Sequence, residues 1–114
     1  MLTNATGTIV TPNYPNNYPN NVICRWSIRV PSGNHIIATF NAFNLEGGNN
    51  CPADSLTIAD GVSQFAATLG TFCGSQLPSP VQSSGDQMLL TFSSNFGAPQ
   101  TGFNISYTTG YYVI

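Results

Sequence analysis

The sequence predicts an all-β fold in which two antiparallel sheets pack face to face as a β-sandwich. Apolar and polar residues alternate with period two along several short segments, as strands with one buried face require. Pro, Gly and Asn interrupt those segments about every ten residues, a spacing typical of sandwiches and too short for βαβ crossovers. No long helix is written in the chain, and its 114 residues fit a single domain with one core.

The strands follow in order. In Cys24-Arg25-Trp26-Ser27-Ile28-Arg29-Val30 the alternation places Cys24, Trp26, Ile28 and Val30 on one face and turns both arginines to solvent. Segment 35–43 comes next, with Ile37, Phe40 and Phe43 as its core side, and Ser55-Leu56-Thr57-Ile58 buries Leu56 and Ile58. Met88, Leu90 and Phe92 repeat the pattern. Phe103, Ile105 and Tyr107 alternate with Asn104, Ser106 and Thr108, so the even positions face outward. Segment 14–21 repeats a Tyr-Pro-Asn-Asn unit and reads as a loop, because Pro-Asn is a common turn pair. Asp60-Gly61 and Asp86 read as turn residues, and His35 as a surface histidine at a strand start.

Composition then removes whole classes of function. Charged residues are 5% of the chain, with two Arg, no Lys and a formal charge of -2. Two cations cannot neutralise a run of phosphates or hold an anionic bilayer, which excludes nucleic-acid binding and electrostatic membrane attachment. No apolar run nears the roughly 18 residues of a membrane span, so no membrane insertion is expected. Met1-Leu2-Thr3-Asn4 lacks the basic start and apolar centre of a signal peptide, so any targeting segment is expected to lie upstream or to have been removed. Asn, Ser and Thr fill 36 positions, giving a polar but largely uncharged surface. With 41% apolar residues and low net charge, the chain has the composition of a folded domain.

Cys24, Cys51 and Cys73 match no zinc or redox spacing, which leaves disulfide formation as the reading. The sequons Asn4-Ala5-Thr6 and Asn104-Ile105-Ser106 mark possible N-glycosylation and point to the same oxidising, extracellular setting. No G-x-S-x-G or related motif orients a nucleophile against His35, so the chain is not expected to be an enzyme. Tyr14, Tyr111 and Tyr112 are candidates for stacking on sugars, set against packing at the sandwich end for Tyr14 and a terminal tail for the other two.

Gly7-Thr8-Ile9-Val10-Thr11-Pro12-Asn13-Tyr14-Pro15-Asn16-Asn17-Tyr18-Pro19 resembles the opening of CUB domains. The likeness continues through Cys24-Arg25-Trp26-Ser27-Ile28, the segment from Phe40 to Glu46, Cys51-Pro52-Ala53-Asp54-Ser55-Leu56-Thr57-Ile58, Phe72-Cys73-Gly74, and Leu90-Thr91-Phe92-Ser93-Ser94-Asn95 followed by Thr101-Gly102-Phe103. It implies one CUB-like, jelly-roll-like sandwich over residues 1–114, with its core at about 5–109 and a tail or linker at 110–114.

The resemblance further implies a disulfide between Cys51 and Cys73. It places the usual partner of Cys24 upstream of Met1, leaving Cys24 unpaired within the chain. Glu46 and Asp54 match two calcium ligands of the family, Asn95 stands where calcium-binding members carry Asp, and Tyr18 matches the tyrosine that supports the acidic cluster. Calcium takes six to eight oxygens, often with carboxylates from loops at one end of a scaffold, and Gly47-Gly48-Asn49-Asn50 lets both acids reach one rim. The expected function is an extracellular module for calcium-dependent protein recognition or adhesion, taking a Lys or Arg from a protein partner at the acidic rim. A glycan-binding module and a metal-free structural domain are the alternatives.

Overall fold

The computed structural model describes residues 6–47, 51, 53–95 and 99–111. Eight strands follow one another: β1 (Gly7–Val10), β2 (Ile23–Arg29), β3 (Asn34–Asn44), β4 (Ser55–Ala59), β5 (Thr68–Phe72), β6 (Val81–Gln82), β7 (Gln87–Ser93) and β8 (Gly102–Tyr111). They form two four-stranded antiparallel sheets, in the orders β1-β8-β3-β6 and β2-β7-β4-β5. No helix occurs among the described residues, and none is therefore long and apolar enough to cross a membrane.

The alternation read from the sequence meets between the sheets. Ile28, Leu56, Ile58, Met88, Leu90, Phe92, Phe103 and Ile105 are fully enclosed. Complete burial of a side chain of this size is worth about 1.5–3 kcal/mol. Cys24 and Trp26 pack on the same core from β2, and Arg25 and Arg29 are exposed on its outer side.

β3 departs from the sequence reading. Its core side is Ile36, Ala38, Phe40 and Phe43, while Ile37 is only half-buried. The register shifts between Phe40, opposite Ile105, and Ala42, opposite Asn104, so Asn41 is an extra residue in a β-bulge. An extra residue reverses the facing of everything beyond it. That is why Phe40 and Phe43 point to one core although an odd number of positions separates them. Ile36 and Ile37 are chemically alike, and only the bulge decides between them.

β8 begins at Gly102, whose φ of 90° lies in the left-handed region. A Cβ there would stand 1.8 Å from Thr11 Oγ1, the atom that accepts a hydrogen bond from Phe103 N at 3.2 Å. Glycine alone fits both the conformation and the space. β8 continues through Tyr111, paired with Asn34 at the start of β3.

Candidate functional site

Asp54 lies just before β4 and shares the parity of Leu56 and Ile58, so strand alternation turns its carboxylate inward, where it is 1% exposed. A carboxylate withdrawn from water needs hydrogen bonds to offset the loss of hydration. Tyr18 Oη donates to Asp54 Oδ2, and Asn95 N donates to Asp54 Oδ1 at 2.9 Å. The Tyr18 oxygen also accepts from Glu46 N at 3.2 Å. A single phenol therefore links the two acids.

Tyr18 itself is 1% exposed. Its ring meets Phe92 edge to face, with centroids 5.0 Å apart, and its backbone N–H donates to Gln100 O at 3.0 Å. Burial, then the hydrogen bond to Asp54, pushes its hydroxyl up to about 12. It stays a neutral donor across the physiological range.

The surrounding loops are tied down by backbone and side-chain bonds. Asn21 N donates to Asn95 O at 3.0 Å, and Ser94 Oγ donates to Pro19 O at 2.8 Å while accepting from Val22 N at 3.2 Å. Leu45 N donates to Gly74 O at 2.9 Å, which joins the Glu46 loop to the segment after Cys73. Cys51 and Cys73 form a disulfide with Cα atoms 5.6 Å apart, closing the loop that carries Asp54. Glu46 Oε2 is buried and has no hydrogen-bond partner among the described residues. A polar oxygen withdrawn from water without a partner costs about 1–3 kcal/mol.

Tyr18, Glu46, Asp54 and Asn95 are thus brought to one pole. Among the described residues no three His, Cys, Asp or Glu side chains converge as a metal-binding group, because the pole offers two carboxylates and the third position is an amide. Cys24 is a free, half-buried thiol on β2, pushed up in pKa by burial. Asn104 lies on the outer side of β8. Asn4 and Tyr112 fall outside the described residues, as does the side chain of Tyr111, and Tyr14 is half-buried in the loop after β1.

Two residues have roles that the sequence did not disclose. His35 is not a surface residue but is 7% exposed, its ring lying over Gly110, where a Cβ would come within 2.4 Å of Nε2. Asp60 sits in the expected bend and also accepts from Ser84 N at 2.8 Å and from the Ser84 hydroxyl, pinning the β4–β5 loop to the β6–β7 loop. Neither adjacency has a local sequence signal, since each partner comes from a distant strand or loop.

Two antiparallel sheets, a disulfide and a buried acid–phenol pair at one pole define a small, stapled β-sandwich module. The chain belongs to the CUB domain family, which matches it over residues 1–107. It is 37% identical over 109 residues to cubilin of Rattus norvegicus, a match covering 96% of this chain and 3% of that protein. The solved full extracellular region of zebrafish Gpr126/Adgrg6 aligns with a TM-score of 0.87 and 33% identity, over 97% of this chain and 14% of that one. The MASP-1 CUB2 domain, solved bound to Ca2+, aligns with a TM-score of 0.83 and 30% identity, over 94% of this chain and 95% of that one. This chain spans only a few per cent of the length of cubilin.

Proposed function

We propose that this chain is a non-catalytic, extracellular recognition module in which Glu46, Asp54 and Asn95 hold one calcium ion. The buried Oε2 of Glu46, without a hydrogen-bond partner among the described residues, carries the reading, because a hard cation is what would satisfy it. Glu46 and Asp54 supply carboxylate oxygens, Asn95 an amide oxygen, and backbone carbonyls and water complete the shell. Bound calcium would supply a fixed double positive charge that organises these oxygens. Tyr18 holds Asp54 in one orientation and, through Glu46 N, sets the start of the second acid's loop. The calcium-bound MASP-1 CUB2 domain shows that this fold can carry the ion in a related protein. The disulfide and the extracellular setting named for the zebrafish match support an oxidising compartment.

The partner we infer is a protein presenting a Lys or Arg. Carboxylates already fixed by the metal lose little conformational freedom on binding, and their remaining lone pairs accept charge-assisted hydrogen bonds. One such contact contributes about 1.5–3 kcal/mol. With two carboxylates where calcium-binding relatives of this pattern have three, metal affinity belongs at the weak, millimolar end of extracellular modules.

Calorimetric titration with calcium tests the reading. Wild-type protein gives binding heat and a rise in melting temperature that a chelator reverses. Glu46→Ala and Asp54→Ala abolish both, and Asn95→Asp tightens binding by restoring a charge. Absence of heat at millimolar calcium, together with a chelator-insensitive melting curve, overturns the site.

A further inference from the structure

We infer that Asn104 carries an N-linked glycan seated over the outer face of the β1-β8-β3-β6 sheet, and that the bulge residue Asn41 fixes its attachment amide. Asn104-Ile105-Ser106 is an acceptor sequon, and the burial of Ile105 turns Asn104 and Ser106 to the opposite, outer side. Asn41, left over by the bulge in β3, donates from Nδ2 to Asn104 Oδ1 at 3.2 Å and to Ser106 Oγ at 2.7 Å. The Asn104 amide is therefore held by its oxygen, and Nδ2, the atom that bears a glycan, makes no hydrogen bond among the described residues.

With Oδ1 turned toward β3, Nδ2 is directed to the β1 side. The cross-strand neighbour there is Val10, 39% exposed and one of four large apolar side chains left in water among the described residues. The first sugar, with its apolar ring face, covers that side chain. The same face carries Thr8 on β1, Thr39 on β3 and Thr108 on β8. A branched sugar over this face closes it to protein partners and leaves the pole around Asp54 open.

Transfer takes place before folding, while the sequon is still an accessible, extended chain. Nδ2 attacks the anomeric carbon of a lipid-diphosphate-linked oligosaccharide. A carbon–nitrogen bond forms, the anomeric carbon–oxygen bond breaks, the diphosphate leaves with the electron pair, and the amide gives up one proton. Folding then seats the sugar, because the native structure asks nothing further of Nδ2.

The test is secretion from a eukaryotic host followed by peptide mass mapping. The peptide containing residue 104 should carry a glycan, and an amidase that removes it should leave aspartate in place of the asparagine. Asn104→Gln and Ser106→Ala should lose the glycan, whereas Ser106→Thr, which keeps the sequon, should retain it. An unmodified peptide at 104 in secreted wild-type protein, or a glycan confined to Asn4, overturns the assignment. Hydroxyl-radical footprinting tests the seating: labelling of Val10 should rise several-fold after enzymatic deglycosylation, and unchanged labelling would show that the sugar does not lie over β1.

Discussion

Replacing Tyr18 with Phe removes one oxygen and leaves the ring in place against Phe92, so its effect isolates the hydrogen bonds of the pole. The hydroxyl donates to the buried carboxylate of Asp54 and accepts from Glu46 N. A bond to a charged group contributes about 1.5–3 kcal/mol and a neutral one about 1 kcal/mol. Tyr18→Phe should therefore destabilise the calcium-free protein by about 3 kcal/mol. Unfolding entropy of roughly 2.1 cal/mol/K per residue converts this into a fall in melting temperature of about 12 °C. Differential scanning calorimetry in chelator measures it directly. A double-mutant cycle with Asp54→Ala should return a coupling of at least about 1 kcal/mol, as expected for residues in contact. A coupling below about 0.5 kcal/mol, or a loss in Tyr18→Phe of under about 1 kcal/mol, would refute the account of the phenol as the tie between the two acids.

Three further outcomes follow from the fold. Gly102→Ala should lower stability by about 2–5 kcal/mol, combining roughly 1–2 kcal/mol for a left-handed backbone with about 1–3 kcal/mol for overpacking against Thr11; chemical denaturation checks it, and a change under about 1 kcal/mol would contradict the strand start described. Removing both halves of the disulfide with Cys51→Ser and Cys73→Ser should cost about 3 kcal/mol, the chain-entropy value for a 22-residue separation, read from denaturant midpoints under non-reducing conditions. Burial raises the Cys24 pKa in the folded state, so its thiol contributes stability that is complete below the ordinary thiol pKa and is lost as pH rises through the folded value. Alkylation by iodoacetamide should accordingly reach half-maximal rate at a higher pH in native protein than in urea, and coincident midpoints would show that Cys24 is not desolvated.

The strands legible in the sequence are those with a buried apolar side written at period two. Ile28 with Trp26, Leu56 with Ile58, and Met88 with Leu90 and Phe92 each announce their facing, because every second residue meets the opposite sheet. The strands not singled out by alternation, β1, β5 and β6, all lie at sheet edges. They are short, and Thr68, Thr71 and Gln82 are exposed, so little alternation marks them. The facing of Ile36 was hidden for another reason, since the bulge at Asn41 depends on pairing with β8 and not on local composition. At the pole, resemblance to a family singled out Tyr18, Glu46, Asp54 and Asn95, and alternation from Leu56 is enough to turn Asp54 inward. The hydrogen bond from Asn95 N was not legible, because it joins residues separated by 41 positions through the meeting of two loops.

The pairing of Gly7 with Tyr107, and of Asn34 with Tyr111, also fixes how the module bears load. β1 enters and β8 leaves at the end of the sandwich remote from Asp54, so tension applied to both sides of the chain pulls across the strands. Antiparallel hydrogen bonds run perpendicular to their strands, and a pull in that direction strains them one after another instead of all together. The module should peel from the β1 and β8 ends at low force, with Thr11 and Gly102 reached last along that seam. The bonds that join Tyr18, Asp54 and Asn95 lie at the opposite pole, so that end stays intact while the strand ends yield.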